Sequence, residues 1–232
     1  MSLIRTLLLF SFSLVLLGCN CAFASSSSDD QKIREVLAIF ETQFSDVQFI
    51  YSADSEEVNA QAIQFFGDKA VMVMAGLNHI EGITTDDLAL VLCHELGHHF
   101  AGAPYLPSMS GERWASAEGM ADFWAMKQCF PKIFKFLPQV SRPASASTTR
   151  FCSLQSSRLN ETFCIRSTEA SLFIAQLSAK TSKNHSAPSI EKLGAPKVTE
   201  TLTDYPTPQC RLDTFISGMV GRNLPPPCWY VP

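Results

Sequence analysis

Positive charge is in short supply in this chain: 18 Lys and Arg stand against 22 Asp and Glu in 232 residues, a net charge of −4. No basic run is left to hold nucleic acid or an anionic membrane by charge. The main apolar run, Leu7 to Leu17, falls well short of the about 20 residues that a spanning helix needs. A C-x-x-C pair is also missing, so the eight cysteines offer no thiolate zinc knuckle. What the chain does have is 46% hydrophobic residues, enough for one domain with a sizeable core.

Arg5, the run Leu7 to Leu17 and the small residues after it read as a signal peptide. Two cleavage sites compete. Leu16-Leu-Gly-Cys19 resembles a bacterial lipobox, in which Cys19 carries lipid and tethers the mature protein to a membrane; Ala22-Phe-Ala24 fits ordinary signal peptidase and leaves a free periplasmic or secreted protein. Either way the protein is exported, and the lipobox is the preferred reading. Past the leader an even six cysteines remain, the pattern of a disulfide framework in an oxidising compartment. Cys152 with Cys164 and Cys210 with Cys228 are the pairs that close the shortest loops. Cys93 and Cys129 are then left over, either as a bridge between two helices, as small buried apolar residues, or as metal ligands.

The chain is organised around Val91-Leu-Cys-His-Glu-Leu-Gly-His-His99. His94 and His98 lie four residues apart, so on a helix both imidazoles face the same way, one turn apart. Two neutral imidazoles so placed can grip Zn²⁺, with Glu95 set to take a proton from the attacking water. The preceding stretch starts a helix, with Thr84 or Thr85 as N-cap, Asp86 and Asp87 in the first turn, and apolar residues leading into the motif. Gly102-Ala-Pro104 supplies the stop.

A catalytic zinc needs a third protein ligand and an open fourth position. The metzincin continuation H-x-x-G-x-x-H is excluded, because Ala101 and Pro104 occupy its glycine and second histidine positions. Ser116-Ala-Glu-Gly-Met-Ala-Asp-Phe-Trp-Ala125 offers another source. Glu118 and Asp122 are one helical turn apart, so one face carries a third ligand and a carboxylate able to orient a ligating histidine. The alternative is an acidic, solvated face. His79, His99 and His185 take surface or supporting roles by default.

His94-Glu-Leu-Gly-His98 followed by Glu118-Gly-Met-Ala-Asp122 resembles the gluzincin metallopeptidases, above all the HtpX and prenyl-protein-peptidase group, whose second motif is E-x-x-A-D. The upstream Asn59 to Leu77 is similar to that group's hairpin, and the likeness covers roughly Gln48 to Gln128. The spacing of twenty residues between His98 and Glu118 is short for the group. The resemblance implies an α+β, zincin-like fold, mostly helical, with a small antiparallel sheet packed on the HExxH helix. It also implies hydrolysis of a polypeptide substrate with zinc as cofactor. Tyr205-Pro-Thr-Pro-Gln-Cys-Arg211 looks like the group's C-terminal segment, which makes Tyr205 and Arg211 candidates for donating to the oxyanion, with His185 in reserve. A structural ion pair is the alternative for Arg211. In gluzincins an edge strand takes substrate backbone, and Ala70 to Ala75 is the candidate edge here, with an ordinary core strand as the alternative.

The remaining chain divides simply. Residues 1–24 are the leader and 25–30 a linker rich in serine; 31–232 form a single metallopeptidase domain. Asp30 to Phe44 shows helical apolar spacing, Ala62 to Phe66 pairs with Ala70 to Met74 across a Gly67 turn, and Gln48 to Tyr51 is a first strand. The helix after Glu118 is expected to run to Pro131, Ser141 to Thr149 to be a loop, and Ser167 to Lys180 another helix. The competing functional class is a non-catalytic zinc-binding envelope lipoprotein, a binding or chaperone-like module. Glu95 argues against it, since a purely structural site has no need of a base.

Overall fold

The computed structural model describes residues 28–107, 113–139, 142–181 and 186–232. The expected leader with Cys19, and Glu112 and His185, lie outside the described residues. Among those described, no helix is long and apolar enough to cross a membrane.

Helix α1 (Ser28–Gln43) leads into strands β1 (Val47–Ser52), β2 (Ala60–Phe65) and β3 (Asp68–Met74). The helix takes up Ser28 to Asp30, the end of the expected linker, and buries Ile33, Val36, Leu37 and Phe40. The three strands form one sheet in the order β1-β3-β2. It is mixed, which corrects the expected antiparallel sheet: β2 pairs antiparallel with β3, while β1 pairs parallel with it. The tight turn through Phe66 and Gly67, both at positive φ, forces β2 and β3 into a hairpin. The longer connection from β1 to β2 carries the chain across, so that β1 joins the far side of β3.

The candidate substrate edge at Ala70 to Ala75 is therefore overturned. β3 is the central strand, and its backbone is bonded on both sides. Its burial agrees, with Ala70, Val71, Val73 and Met74 all inside, as a continuous apolar run predicts for a doubly covered strand. The free edge beside the next helix belongs to β2.

Helix α2 (Thr85–Phe100) is the central helix. Thr84 is its N-cap, in a reciprocal box: its hydroxyl accepts from the Asp87 N–H while the Asp87 carboxylate accepts from the Thr84 N–H. Two arginines hold the same turn. Arg166 binds Asp86 through two nitrogens, and Arg142 binds Asp87 with both terminal nitrogens. Such forked pairs satisfy carboxylates that could not otherwise be buried.

Helix α3 (Glu118–Trp124) continues into a π-helical turn (Ala125–Cys129) and then α4 (Phe130–Ile133). The chain thus stays helical through Pro131, contrary to expectation. A proline ring inside an α-helix collides with the carbonyl four residues back; the wider turn just before Pro131 relieves this, and the Phe130 N–H reaches the Ala125 carbonyl instead. Helix α5 (Ala146–Gln155) occupies part of the expected Ser/Thr/Ala-rich loop, because Ser145 caps it by accepting from the Thr148 N–H. Helix α6 (Glu161–Thr181) is longer than expected, and α7 (Pro208–Met219) closes the fold.

Disulfides join Cys93 to Cys129, Cys152 to Cys164 and Cys210 to Cys228. The first ties α2 to the π turn, the second α5 to α6, and the third α7 to the C-terminal segment. Trp229 in that segment is fully buried against α3, so close that a Cβ on Gly119 would run into its ring.

Candidate metal centre

Helix α2 aligns His94, Glu95 and His98 on one face, and α3 brings Glu118 and Asp122 against it. The two helices touch backbone to backbone where Gly97 meets Ala121. All five functional side chains are nearly or fully buried.

Each histidine is oriented through its Nδ1. In His94 that atom lies 2.7 Å from Asp122 Oδ1, and in His98 it lies 2.7 Å from the Ser116 carbonyl oxygen. With Nδ1–H donated to oxygen, the lone pair of each ring sits on Nε2. Both Nε2 atoms converge on Glu118 Oε2, at 3.2 Å from His94 and 3.7 Å from His98. His94 Nε2 and Glu118 Oε2 are buried without a hydrogen-bond partner. Zinc bonds of about 2.0–2.1 Å in a tetrahedron set ligands about 3.3 Å apart. The His94, His98 and Glu118 atoms thus have both the chemistry and the spacing of a zinc site.

Electrostatics separates the roles. Burial opposes a charge on His94, but the Asp122 carboxylate outweighs it and pushes the imidazole up to about 10. Burial, with His94 beside it, lowers His98 to about 4. For Glu118 burial works upward, but the two imidazoles more than reverse it and hold the carboxyl below its usual range. Asp122 is held low in the same way by Arg211 and His94 against its own burial. Glu95 is the exception: burial pushes it up to about 7, only partly offset by His94 and by the Ala62 N–H. A carboxylate near neutrality is matched to receiving and returning a proton.

The Glu95 carboxylate accepts from the Ala62 N–H of β2 at 2.7 Å, which fixes the edge strand to the motif. Arg211 on α7 is buried and donates to Asp122 from Nε at 2.9 Å and from Nη2 at 3.1 Å. Tyr205 stacks on the His94 ring, 6.3 Å between centroids, with the Arg211 guanidinium 5.2 Å from its own ring. It stays 61% exposed toward the cleft. Desolvation and the carboxylates of Glu118 and Glu95 push its phenol well up, so it remains a donor.

His99 lies outside the ligand set. Its Nε2 lies 2.9 Å from the Ala70 carbonyl, and its ring stacks on Trp114 at 5.2 Å. His79 is exposed. Nothing in the sequence pointed to the Ser116 carbonyl, the Ala62 N–H or the Gly97–Ala121 contact. Only the glycine inside the motif hinted at a close approach.

Two cavities open beside the metal-binding atoms. One of about 420 Å³ is lined by Leu77, Leu90, Val91, Ile174, Leu177 and Pro206 together with His94, Glu95, Tyr205 and Arg211. The other, about 310 Å³, is lined by Gln61, His98, Trp114, Glu118 and Tyr205 among others. β2 borders both.

In comparison with known families, the model of peptidase family M48 fits residues 27–181. No curated protein and no solved structure matches the chain.

Proposed function

Because the chain belongs to peptidase family M48, and is thus a zinc metallopeptidase acting on polypeptides, we propose that it is an exported protease whose active site is His94, Glu95, His98, Glu118 and their supports. The observation that carries this is the convergence of three ligand atoms within 4.8 Å of one another, with the Glu95 carboxylate, outside the ligand set, at their side. His94, His98 and Glu118 would hold zinc, which when bound would supply a Lewis acid for the scissile carbonyl and the attacking water. Glu95 takes that proton and passes it to the leaving amine. Tyr205, protonated and open to the cleft, donates to the developing oxyanion. Arg211 acts through Asp122: its Nε and Nη2 are both engaged there, so we assign it to holding the carboxylate that orients His94, in place of oxyanion donation.

Substrate backbone pairs with the open edge of β2. A non-catalytic zinc protein has no need of a base beside its ligands, and Glu95 stands there, buried and outside the ligand set, with a carboxyl that burial pushes up to about 7. Export is supported by the leader and by three disulfides, and lipidation of Cys19 is our preferred form of it.

The test is Glu95→Gln in the zinc-loaded protein. Metal content and fold should be kept while hydrolysis of a casein-type substrate falls about a hundredfold or more. Equal turnover by the two proteins would refute the assignment.

A further inference from the structure

We propose that a second cleft, apart from the metal centre, binds an acidic segment of a polypeptide in which carboxylates alternate with apolar side chains. This goes beyond the peptidase reading and holds whether or not the metal centre hydrolyses peptides.

The cleft encloses about 890 Å³ and shares no lining residue with the two cavities beside the metal-binding atoms. Asp213, Ile216 and Ser217 line it from one face of α7, whereas Arg211 turns to Asp122 on the other. The end of α5 with the turn after it, the loop 193–197 and residues 220–228 complete the walls.

Three of these segments each contribute a cation: Arg158, Lys197 and Arg222. All three are exposed, and none of their side chains has an ion-pair partner among the described residues. Arg150 on α5, by contrast, meets Glu191 at 3.6 Å. In a chain of net charge −4, three cations gathered around one cavity without a carboxylate are placed for an anion that comes from elsewhere. Asp213 is the acid in the wall, and its charge is already engaged. Its Oδ2 accepts from the Gly194 and Ala195 N–H groups at 3.0 and 2.6 Å, and its Oδ1 accepts from Gln209 at 3.0 Å.

The form of the cleft selects among anions. A single phosphate calls for donors that converge on one point, but these cations stand on three separate segments. A bilayer is flat and cannot enter a concave cleft. An extended peptide fits both features, because its carboxylates can meet the exposed cations while its apolar side chains cover Phe151, Leu193, Ile216, Val220 and Pro226. The walls are also held in place for it. Asp213 fastens the loop at 194–195 to α7, the Val198 N–H donates to the Pro227 carbonyl at 2.9 Å, and the Cys210–Cys228 bridge joins the last wall to α7.

The test uses the zinc-loaded Glu95→Gln protein, so that the peptide is not cleaved, and reads the fluorescence anisotropy of labelled, C-terminally amidated Glu-Leu-Glu-Phe-Glu against Gln-Leu-Gln-Phe-Gln. The acidic peptide should bind about tenfold or more tightly, and added salt should shrink the difference. Arg158→Glu, Lys197→Glu and Arg222→Glu together should abolish it. Lys197→Glu alone should reduce it about threefold or more, and Arg150→Gln, outside the cleft, should leave it as it was. Equal affinities for the two peptides, or a preference that survives the charge reversals, would overturn the proposal. So would displacement of the acidic peptide by inorganic phosphate at equal concentration, which would mark a phosphate site, or binding to phosphatidylglycerol vesicles in place of the peptide, which would mark a membrane-facing surface.

Discussion

Replacing Gly97 by alanine tests whether the close approach of α2 and α3 sets the geometry of the metal centre. A Cβ there would lie 2.7 Å from both the Cα and the carbonyl oxygen of Ala121, and 3.0 Å from its carbonyl carbon. Non-bonded carbons rest at about 3.5–4.0 Å, so the helices must part by about 1 Å. These neighbours are backbone atoms and cannot rotate aside. Helix propensity pulls the other way, favouring alanine by about 1 kcal/mol. Overpacking costs about 1–3 kcal/mol, and the Cys93–Cys129 bridge resists separation, so the net effect is destabilising. The sharper readout is zinc. His94 and His98 ride on α2 and Glu118 on α3, while ligand distances tolerate only about 0.2 Å. Chelator competition should therefore show zinc affinity down by about tenfold or more. A variant with raised thermal stability and zinc affinity within about twofold of the parent would refute the reasoning, since propensity alone would then explain the substitution.

Arg211→Met should destabilise the protein by about 3–5 kcal/mol in urea denaturation, because it leaves the Asp122 carboxyl buried without its guanidinium partner; adding Asp122→Asn should recover part of the loss, and a cost below about 1 kcal/mol would show that the pair is unimportant. Zinc affinity should rise with pH. His94 sits at about 10 in the metal-free protein, so through the neutral range zinc must displace its proton, and each unit of acidification weakens binding by about tenfold; a flat profile between pH 6 and 9 would contradict this. Cys19→Ser should shift the protein from the membrane fraction to the soluble one, since acyl chains anchor by about 0.8 kcal/mol per buried methylene. A wild-type chain found by mass spectrometry to begin at Ser25 without lipid would refute the anchor.

What could be read from the sequence was what repeats at a fixed local spacing. The four-residue step from His94 to His98 and from Glu118 to Asp122 places each pair on one helical face wherever the helix goes, and the structure brings the two faces together. The β2–β3 hairpin was equally local, marked by Gly67. The sheet order was not, because the parallel pairing of β1 with β3 depends on a crossover whose path no turn residue announces. Nor were Ser116 and Ala62, which act through backbone atoms that every residue possesses. Ser145 was legible in principle as a cap, but the serines and alanines around it read more simply as a loop. Arg166 and Arg142 look like surface charges in the sequence, and only the tertiary fold supplies Asp86 and Asp87 as partners.

The family match ends at residue 181, yet the metal centre depends on residues beyond that point. The Glu118 N–H donates to the Thr203 carbonyl, Gly119 lies under the Trp229 ring, and Asp122 is paired with Arg211. These contacts fall on the first turn of α3, which carries the Glu118 carboxylate, and on the residue that orients His94. The Cys210–Cys228 bridge closes the segment on itself, so Arg211 and Trp229 are delivered as a unit. Arg211 also has an effect that a neutral donor at the same place would lack. A guanidinium keeps its charge at any ordinary pH, so Asp122 stays ionised despite complete burial and goes on accepting from His94 Nδ1. The Nε2 lone pair of His94 is thereby directed at the metal position by a charge that lies 89 residues beyond Asp122 in the chain, on a helix that holds no metal ligand itself.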